Sequence, residues 1–224
     1  MILNTYSIII ILFTPYIYIL FTFLDYVKNK NAYSTFRFNI NKSIFDAYPI
    51  VFRNIIIVIP ITLLIVLNIF PIEKQLYSFK RELITFCLHV IWTDFYYYIF
   101  HYLCHYDKTL YQLIHKRHHE FNNTIGFMAF YASIAEIILL NIGGTILLHI
   151  FYKFSLYHIL LFQTLSLYYS IMNAHTSSKC GLHQIHHLKK KFNYGFNIFM
   201  DRLLGTRKDT IYTGKTKIHT IYSN

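Results

Sequence analysis

The stretch Leu83–His105, LITFCLHVIWTDFYYYIFHYLCH, is a long apolar run that closes on two histidines four residues apart. As a helix, a run of this length can cross a hydrocarbon core of about 30 Å. His89 and Asp94 lie inside it, and ionisable side chains inside lipid are costly enough to mark functional positions by default. At the end of the run, His101 and His105 stand at i and i+4, on one face of a helix. The stretch therefore predicts a membrane helix that delivers imidazoles to one surface of the bilayer.

The rest of the chain is of the same kind. Of its 224 residues 55% are hydrophobic and only 14% charged, against about 25% charged in ordinary soluble domains. Apolar runs at Ile2–Leu24 and Ile50–Ile72 are each long enough to span, the second broken by Pro60 and carrying Arg53 near its start. Between Phe127 and Tyr169 a further apolar stretch is interrupted only near Lys153, which fits two spans joined by a tight turn or a re-entrant pair. The N-terminus lacks the basic start and small-residue cleavage site of a signal peptide and reads as a retained anchor.

The net charge of +11 does not indicate nucleic acid, because the basic residues flank the apolar runs and gather near the C-terminus, a pattern suited to an anionic membrane face. Lys28, Lys30, Arg37 and Lys42 follow the first run, Lys74, Lys80 and Arg81 follow the second, Lys153 stands alone, and nine basic residues come after His175. The positive-inside tendency then places the 28–48 connector, the 101–125 segment and the C-terminal region in the cytosol. Cys87, Cys104 and Cys180 form no CxxC pair, which indicates neither a disulfide framework nor a cysteine zinc site.

Histidine is concentrated in three places: His101 and His105 in HYLCH, His115, His118 and His119 in HKRHH, and His183, His186 and His187 in HQIHH. Helical spacing within each group puts its rings on one face, with Lys116 and Arg117 turned away. All three groups sit at the ends of apolar runs, on the side assigned to the cytosol. His149, His158 and His219 read as ordinary core or surface residues. The zinc-protease motif HExxH is absent, since Glu120 follows its group. Imidazole suits Zn, Cu, Fe and Ni, and a catalytic zinc uses about three protein ligands. Eight histidines point to two metals, and a pair of irons at a membrane face suits oxygen chemistry on a greasy substrate.

HYLCH, HKRHHEF and LHQIHHLKKKFNYGFNIFMDRLLGT resemble, in order and spacing, the three histidine boxes and the closing signature of the fatty acid hydroxylase / sterol desaturase superfamily. The resemblance runs from about Ile91 to Thr206. It implies an all-α integral membrane bundle of about four transmembrane helices with a cytosolic-side histidine-rich cap. The implied domains are anchor helices over 1–82, a catalytic domain over 83–208 and a tail over 209–224. The implied metal ligands are His101, His105, His115, His118, His119, His183, His186 and His187, with His175 as a further ligand. Asp94, Glu136 and Asn173 are implied as residues that support those ligands. The implied cofactors are two irons and O2, with NAD(P)H electrons relayed by a separate b-type cytochrome or reductase that Lys189–Lys191 could dock. A lipid, either sterol or fatty acyl, would enter from the bilayer of the endoplasmic reticulum or an equivalent membrane and be hydroxylated or desaturated. The box HKRHHEF and the closing signature lean toward the methylsterol oxidase and sterol hydroxylase branch. One departure is YASIAE, where Ser133 and Ile134 replace a His-Pro pair found in many members. Two other readings stay open: a histidine-rich metal-binding or transport protein, and an inactive family member.

Overall fold

The computed structural model describes residues 5–36, 38, 42–70, 72–73, 77–176, 182–197, 199–213 and 216–220, with the backbone alone for residues 6, 210–213 and 216–220. Arg37, Lys74 and Cys180 lie outside the described residues.

Four helices are long and apolar enough to cross a membrane: Ser7–Lys28, Ile44–Ile69, Phe79–Tyr106 and Ile134–Phe151. The chain is a multi-pass integral membrane protein with an all-α body. On these spans large apolar side chains such as Leu12, Ile65 and Leu88 are left exposed, which costs little where the surroundings are lipid. A return helix, Leu156–Tyr169, follows the fourth span after a short turn around Lys153. It packs along the first span. Strand pairing among the described residues is confined to an isolated bridge between Glu73 and Ser155 and a terminal hairpin, in which Thr210–Thr213 pairs antiparallel with Thr216–Thr220.

The second span starts earlier than its apolar run and is wound unevenly. A capping box opens it, with the Ser43 backbone N–H donating to Asp46 Oδ2 at 2.6 Å. A π-helical stretch, Arg53–Val58, precedes Pro60. Proline has no N–H for the carbonyl four residues earlier, and its ring crowds that carbonyl. The winding widens ahead of it, and wide turns of this kind recur at functional sites. Here the turn has a clear use. Buried Asn54 donates from Nδ2 to the carbonyls of Phe130 and Ala132 at 2.8 and 3.0 Å, fixing the loop that follows the second histidine box.

That loop is part of the main core. Phe121, Ile125, Met128 and Tyr131 are fully buried against Val51 and Ile55 of the second span and Tyr18 of the first. Burial of four such side chains, at about 25 cal/mol per Å² of apolar surface, anchors a segment whose regular backbone hydrogen bonding is one 3-10 turn, Gly126–Phe130. A smaller apolar cluster of Ile10, Leu67, Phe154 and Ile159 closes the opposite end of the bundle. The chain direction places the ends of the first and third spans, the starts of the second and fourth, and the end of the return helix at one face. All three histidine boxes lie at that face.

Candidate metal centre

The structure gathers all nine histidines named above into two adjacent groups. His101, His105, His115, His119 and His186 form one; His118, His175, His183 and His187 form the other. In each, one ring nitrogen per histidine lies within 4.8 Å of all the others. The groups are not the sequence boxes. The third span ends in regular helix, so His101 and His105 stay together in the first group. The second box is not a regular helix: a π turn, Tyr111–His115, runs into a 3-10 turn, His118–Glu120. This uneven winding keeps His115 and His119 together, with their Nε2 atoms 2.9 Å apart, and turns His118 to the other group. In the short helix Leu182–Lys189, His183 and His187 face the second group, while His186 faces the first. Lys116 is exposed and Arg117 half-buried, both outside the groups.

Proton placement determines what these groups can do. The Nδ1 of His101 lies 2.7 Å from the Tyr194 carbonyl oxygen, that of His118 3.3 Å from Tyr131, and that of His175 2.8 Å from Ser170. His186 meets the Phe192 carbonyl at 2.7 Å and His187 the Phe121 carbonyl at 3.0 Å. A carbonyl oxygen only accepts, so in each case Nδ1 carries the hydrogen, and the neutral ring has a bare lone pair at Nε2. Those bare atoms then face one another. His118 Nε2 lies 3.2 Å from His187 Nε2 and 3.4 Å from His175 Nε2. Neither member of either pair has a proton to give. Lone pairs repel at that range unless a cation sits among them. Separations near 3 Å are the edges of a coordination shell whose metal–nitrogen bonds are about 2.1 Å. The donor set fits a metal.

Protonation does not relieve the crowding. Burial first, and then the neighbouring imidazoles, keep His115, His119, His183, His186 and His187 well below the usual histidine range. His118 is brought down to about 3 and His175 to about 4, burial being the largest cause for both. Neutral rings with inward lone pairs are what a divalent cation binds.

Glu136 is the charged group closest to the cage. Its Oε1 accepts from His115 Nδ1 at 2.8 Å, and its buried Oε2 has no hydrogen-bond partner among the described residues. A buried carboxylate oxygen left open beside a histidine cluster is a second sign that the site is built for positive charge. Ser133 caps the helix that carries Glu136. Its Oγ accepts from the Glu136 N–H at 3.0 Å and donates to the Ile114 carbonyl at 2.7 Å. It thereby fixes the approach of Glu136 to His115.

Asp94 touches no histidine among the described residues. It accepts from the backbone N–H groups of Asn197 and Met200 at 2.5 and 2.8 Å. Asp201 accepts from the N–H groups of Tyr194 and Gly195 at 2.9 and 2.8 Å. Together they pin the irregular segment whose Tyr194 and Phe192 carbonyls orient His101 and His186. A Cβ at Gly195 would lie 2.7 Å from Asp94 Oδ1, so only glycine allows the two carboxylates to close over this turn. Asn193, at φ 59°, tolerates the left-handed region and ties Leu182 to Lys208 through its side chain. Asn173 is half-buried on the π turn Ser170–Ala174 and has no hydrogen bond to a histidine among the described residues.

Sequence reading passed over Asp25, which ends the first apolar run. Fully buried, it accepts from Asn29, Tyr33, Thr176 and the Gly126 N–H at 2.7–2.8 Å. It joins the first span to the residue after His175 and to the loop after the second box. Its only sequence signal is a lone carboxylate at the end of an apolar run.

A cavity leads from the second group into the bundle. His118, His175, His183 and Glu136 line its upper end; Ile10, Leu67, His89 and Phe154 line its lower end. Most of its lining is apolar.

Residues 86–206, just over half of the chain, match the fatty acid hydroxylase family. No curated protein and no solved structure matches the chain. The matched segment contains all nine histidines of the two groups, Glu136 and the Asp94–Asp201 clamp, and the chain belongs to the fatty acid hydroxylase family of histidine-box membrane proteins.

Proposed function

We propose that the chain is a membrane-bound, O2-dependent lipid hydroxylase or desaturase with two histidine-held irons. Its most suitable substrates are sterols, in line with the form of its second box and closing signature. One iron would be held by His101, His105, His115, His119 and His186, the other by His118, His175, His183 and His187. A pair of irons held this way supplies the oxidising power to convert a C–H bond, O2, two electrons and two protons into an alcohol and water. The chain contributes orientation, dryness and access. Carbonyl oxygens fix the tautomers of His101, His118, His175, His186 and His187, and Glu136 that of His115, before any metal arrives, which lessens the reorganisation left for binding. Glu136 holds the His115 Nδ1 proton and adds negative charge beside the metals. The apolar cavity excludes water and accepts a lipid from the bilayer. Exposed Lys189, Lys190 and Lys191 offer an acidic electron donor a docking edge on the histidine face, which we assign to the cytosol of an endoplasmic-reticulum-like membrane.

The observation that carries this reading is the convergence of the unprotonated Nε2 atoms of His118, His175 and His187. Detergent-purified chain reconstituted under reducing conditions should hold two irons. A stoichiometry well below two overturns the di-iron assignment. In cells, expression should change the lipid profile, and a His118→Ala chain that inserts normally should not.

A further inference from the structure

The lower part of the cavity is not uniformly apolar. Thr93 of the third span and Gln163 of the return helix both line it. Thr93 Oγ1 and Gln163 Oε1 are buried without a hydrogen-bond partner among the described residues. For a threonine this is unusual, since a helical hydroxyl readily bonds the carbonyl four residues back. Thr14, Thr62 and Thr164 do so at 3.2, 2.8 and 2.7 Å. His89, in the same lining, is paired on both nitrogens: its Nε2 lies 3.2 Å from Thr145 Oγ1, and its Nδ1 lies 3.0 Å from His158 Nε2. Thr93 Oγ1 and Gln163 Oε1 therefore line a greasy pocket without a hydrogen-bond partner among the described residues, as does His149 Nδ1.

Buried polar atoms in native structures are rarely left without partners, and an alkyl chain could not supply one. The lining also contains no lysine and no arginine. A carboxylate, phosphate or thioester-linked nucleotide headgroup would meet no counter-charge there, which excludes a charged head at this end. What fits is an uncharged O–H donor on a hydrocarbon body.

We infer that Thr93 and Gln163 form the binding site for the hydroxyl of a neutral lipid alcohol, which enters hydroxyl first and presents a carbon to the histidine face. Thr93 lies eight residues before His101 on one continuous helix, so the hydroxyl and the oxidised carbon stand roughly 12 Å apart at 1.5 Å per residue. Two kinds of molecule share this chemistry, a 3-hydroxysterol and a long-chain alcohol. The inference rests on the lipid-oxidation reading for its upper end, and on Thr93 and Gln163 alone for its lower.

The test uses full-length chain in phosphatidylcholine nanodiscs, with binding followed through the fluorescence of Trp92, the only tryptophan. Cholesterol is compared with 5α-cholestane, and octadecan-1-ol with octadecane; each pair differs in its hydroxyl group, apart from the ring double bond of cholesterol. In one arm the alcohol should bind at least about tenfold more tightly than its hydrocarbon, and that arm identifies the source. The preference should shrink in Thr93→Val and in Gln163→Leu and vanish in the double variant. Equal affinities, absence of binding in both arms, or a preference that survives the double variant would overturn the inference. Iron is measured on the same samples. Two irons without an alcohol preference refute this inference alone, and an alcohol preference in a chain that holds no iron refutes the di-iron reading alone.

Discussion

Two regions of this molecule concentrate buried histidine, and they are built on opposite principles. In the cage at the membrane face, ring nitrogens converge, and His118 meets His175 and His187 with bare lone pairs on both sides. Toward the other end of the bundle, His89 and His158 stack with Phe154 and Phe162, the His89 and Phe162 rings 3.6 Å apart and nearly parallel. There each nitrogen has a complementary partner. His158 Nδ1 faces Glu82 at 3.6 Å, its Nε2 accepts from His89 Nδ1, and His89 Nε2 accepts from the Thr145 hydroxyl. One assignment of protons satisfies that whole chain, and none satisfies the cage. A cluster of histidines is thus no metal site by its count alone. The difference lies in where the second nitrogen of each ring is already committed.

The sharpest way to break this comparison is to remove one ring from each region. His118→Ala or His187→Ala should abolish lipid oxidation and lower bound iron, with membrane insertion unchanged by protease protection. His89→Leu should leave iron content untouched. Because it removes the partner of His158 Nε2 and of the Thr145 hydroxyl, it should lower stability by about 1–3 kcal/mol, read as a fall in melting temperature. Iron loss in the His89 variant, or turnover in either cage variant, would erase the distinction between the regions.

A smaller effect isolates the carboxylate that only the cage possesses. Glu136→Ala removes the acceptor for His115 Nδ1 and should weaken metal affinity by about 10–100-fold, the usual cost of losing a group that orients a ligand. Glu136→Gln keeps an acceptor at the same reach and should recover most of the His115 orientation without the charge. Iron titrations of the two variants separate geometry from electrostatics. Identical losses in both would assign the whole effect to charge.

Much of the architecture was legible because lipid imposes a simple grammar. Length and apolarity alone locate four spans, and the ends of those spans locate the boxes. The partition of the histidines into two groups was not legible. Spacing of i, i+3 and i+4 places His115, His118 and His119 on one face of a regular helix, whereas the chain there passes from a π turn to a 3-10 turn. Periodicity carries no record of such local winding, which is set by what the backbone must reach in three dimensions. Asp94 was legible as costly and therefore important, but its task, clamping Asn197 and Met200 from 103 and 106 residues away, depends on contacts no local pattern encodes. Asp25 was hidden for the same reason, because all that sets it apart is four donors brought in by tertiary packing. Pro60 was read as a kink, and the widened turn before it is where Asn54 grips the second-box loop.

The mildest prediction concerns Ser133, whose serine identity was the strongest sequence argument for an inactive chain. Its hydroxyl caps a helix and bonds the Ile114 carbonyl, immediately before His115. Ser133→Ala should cost about 1 kcal/mol through loss of the cap, seen as a fall of a few degrees in melting temperature. The slight loosening of Glu136 against His115 should lower iron affinity only a few-fold. Ser133→Thr keeps the oxygen and should restore both. Ser133→His supplies the ring that the sequence resemblance led one to expect at this position but removes the cap. If Ser133→His raises iron affinity while Ser133→Ala leaves stability unchanged, the serine is a lost ligand. If both variants lose stability and neither gains metal, serine at this position is a working part of the second layer around the cage, and the donor set is complete without a tenth histidine.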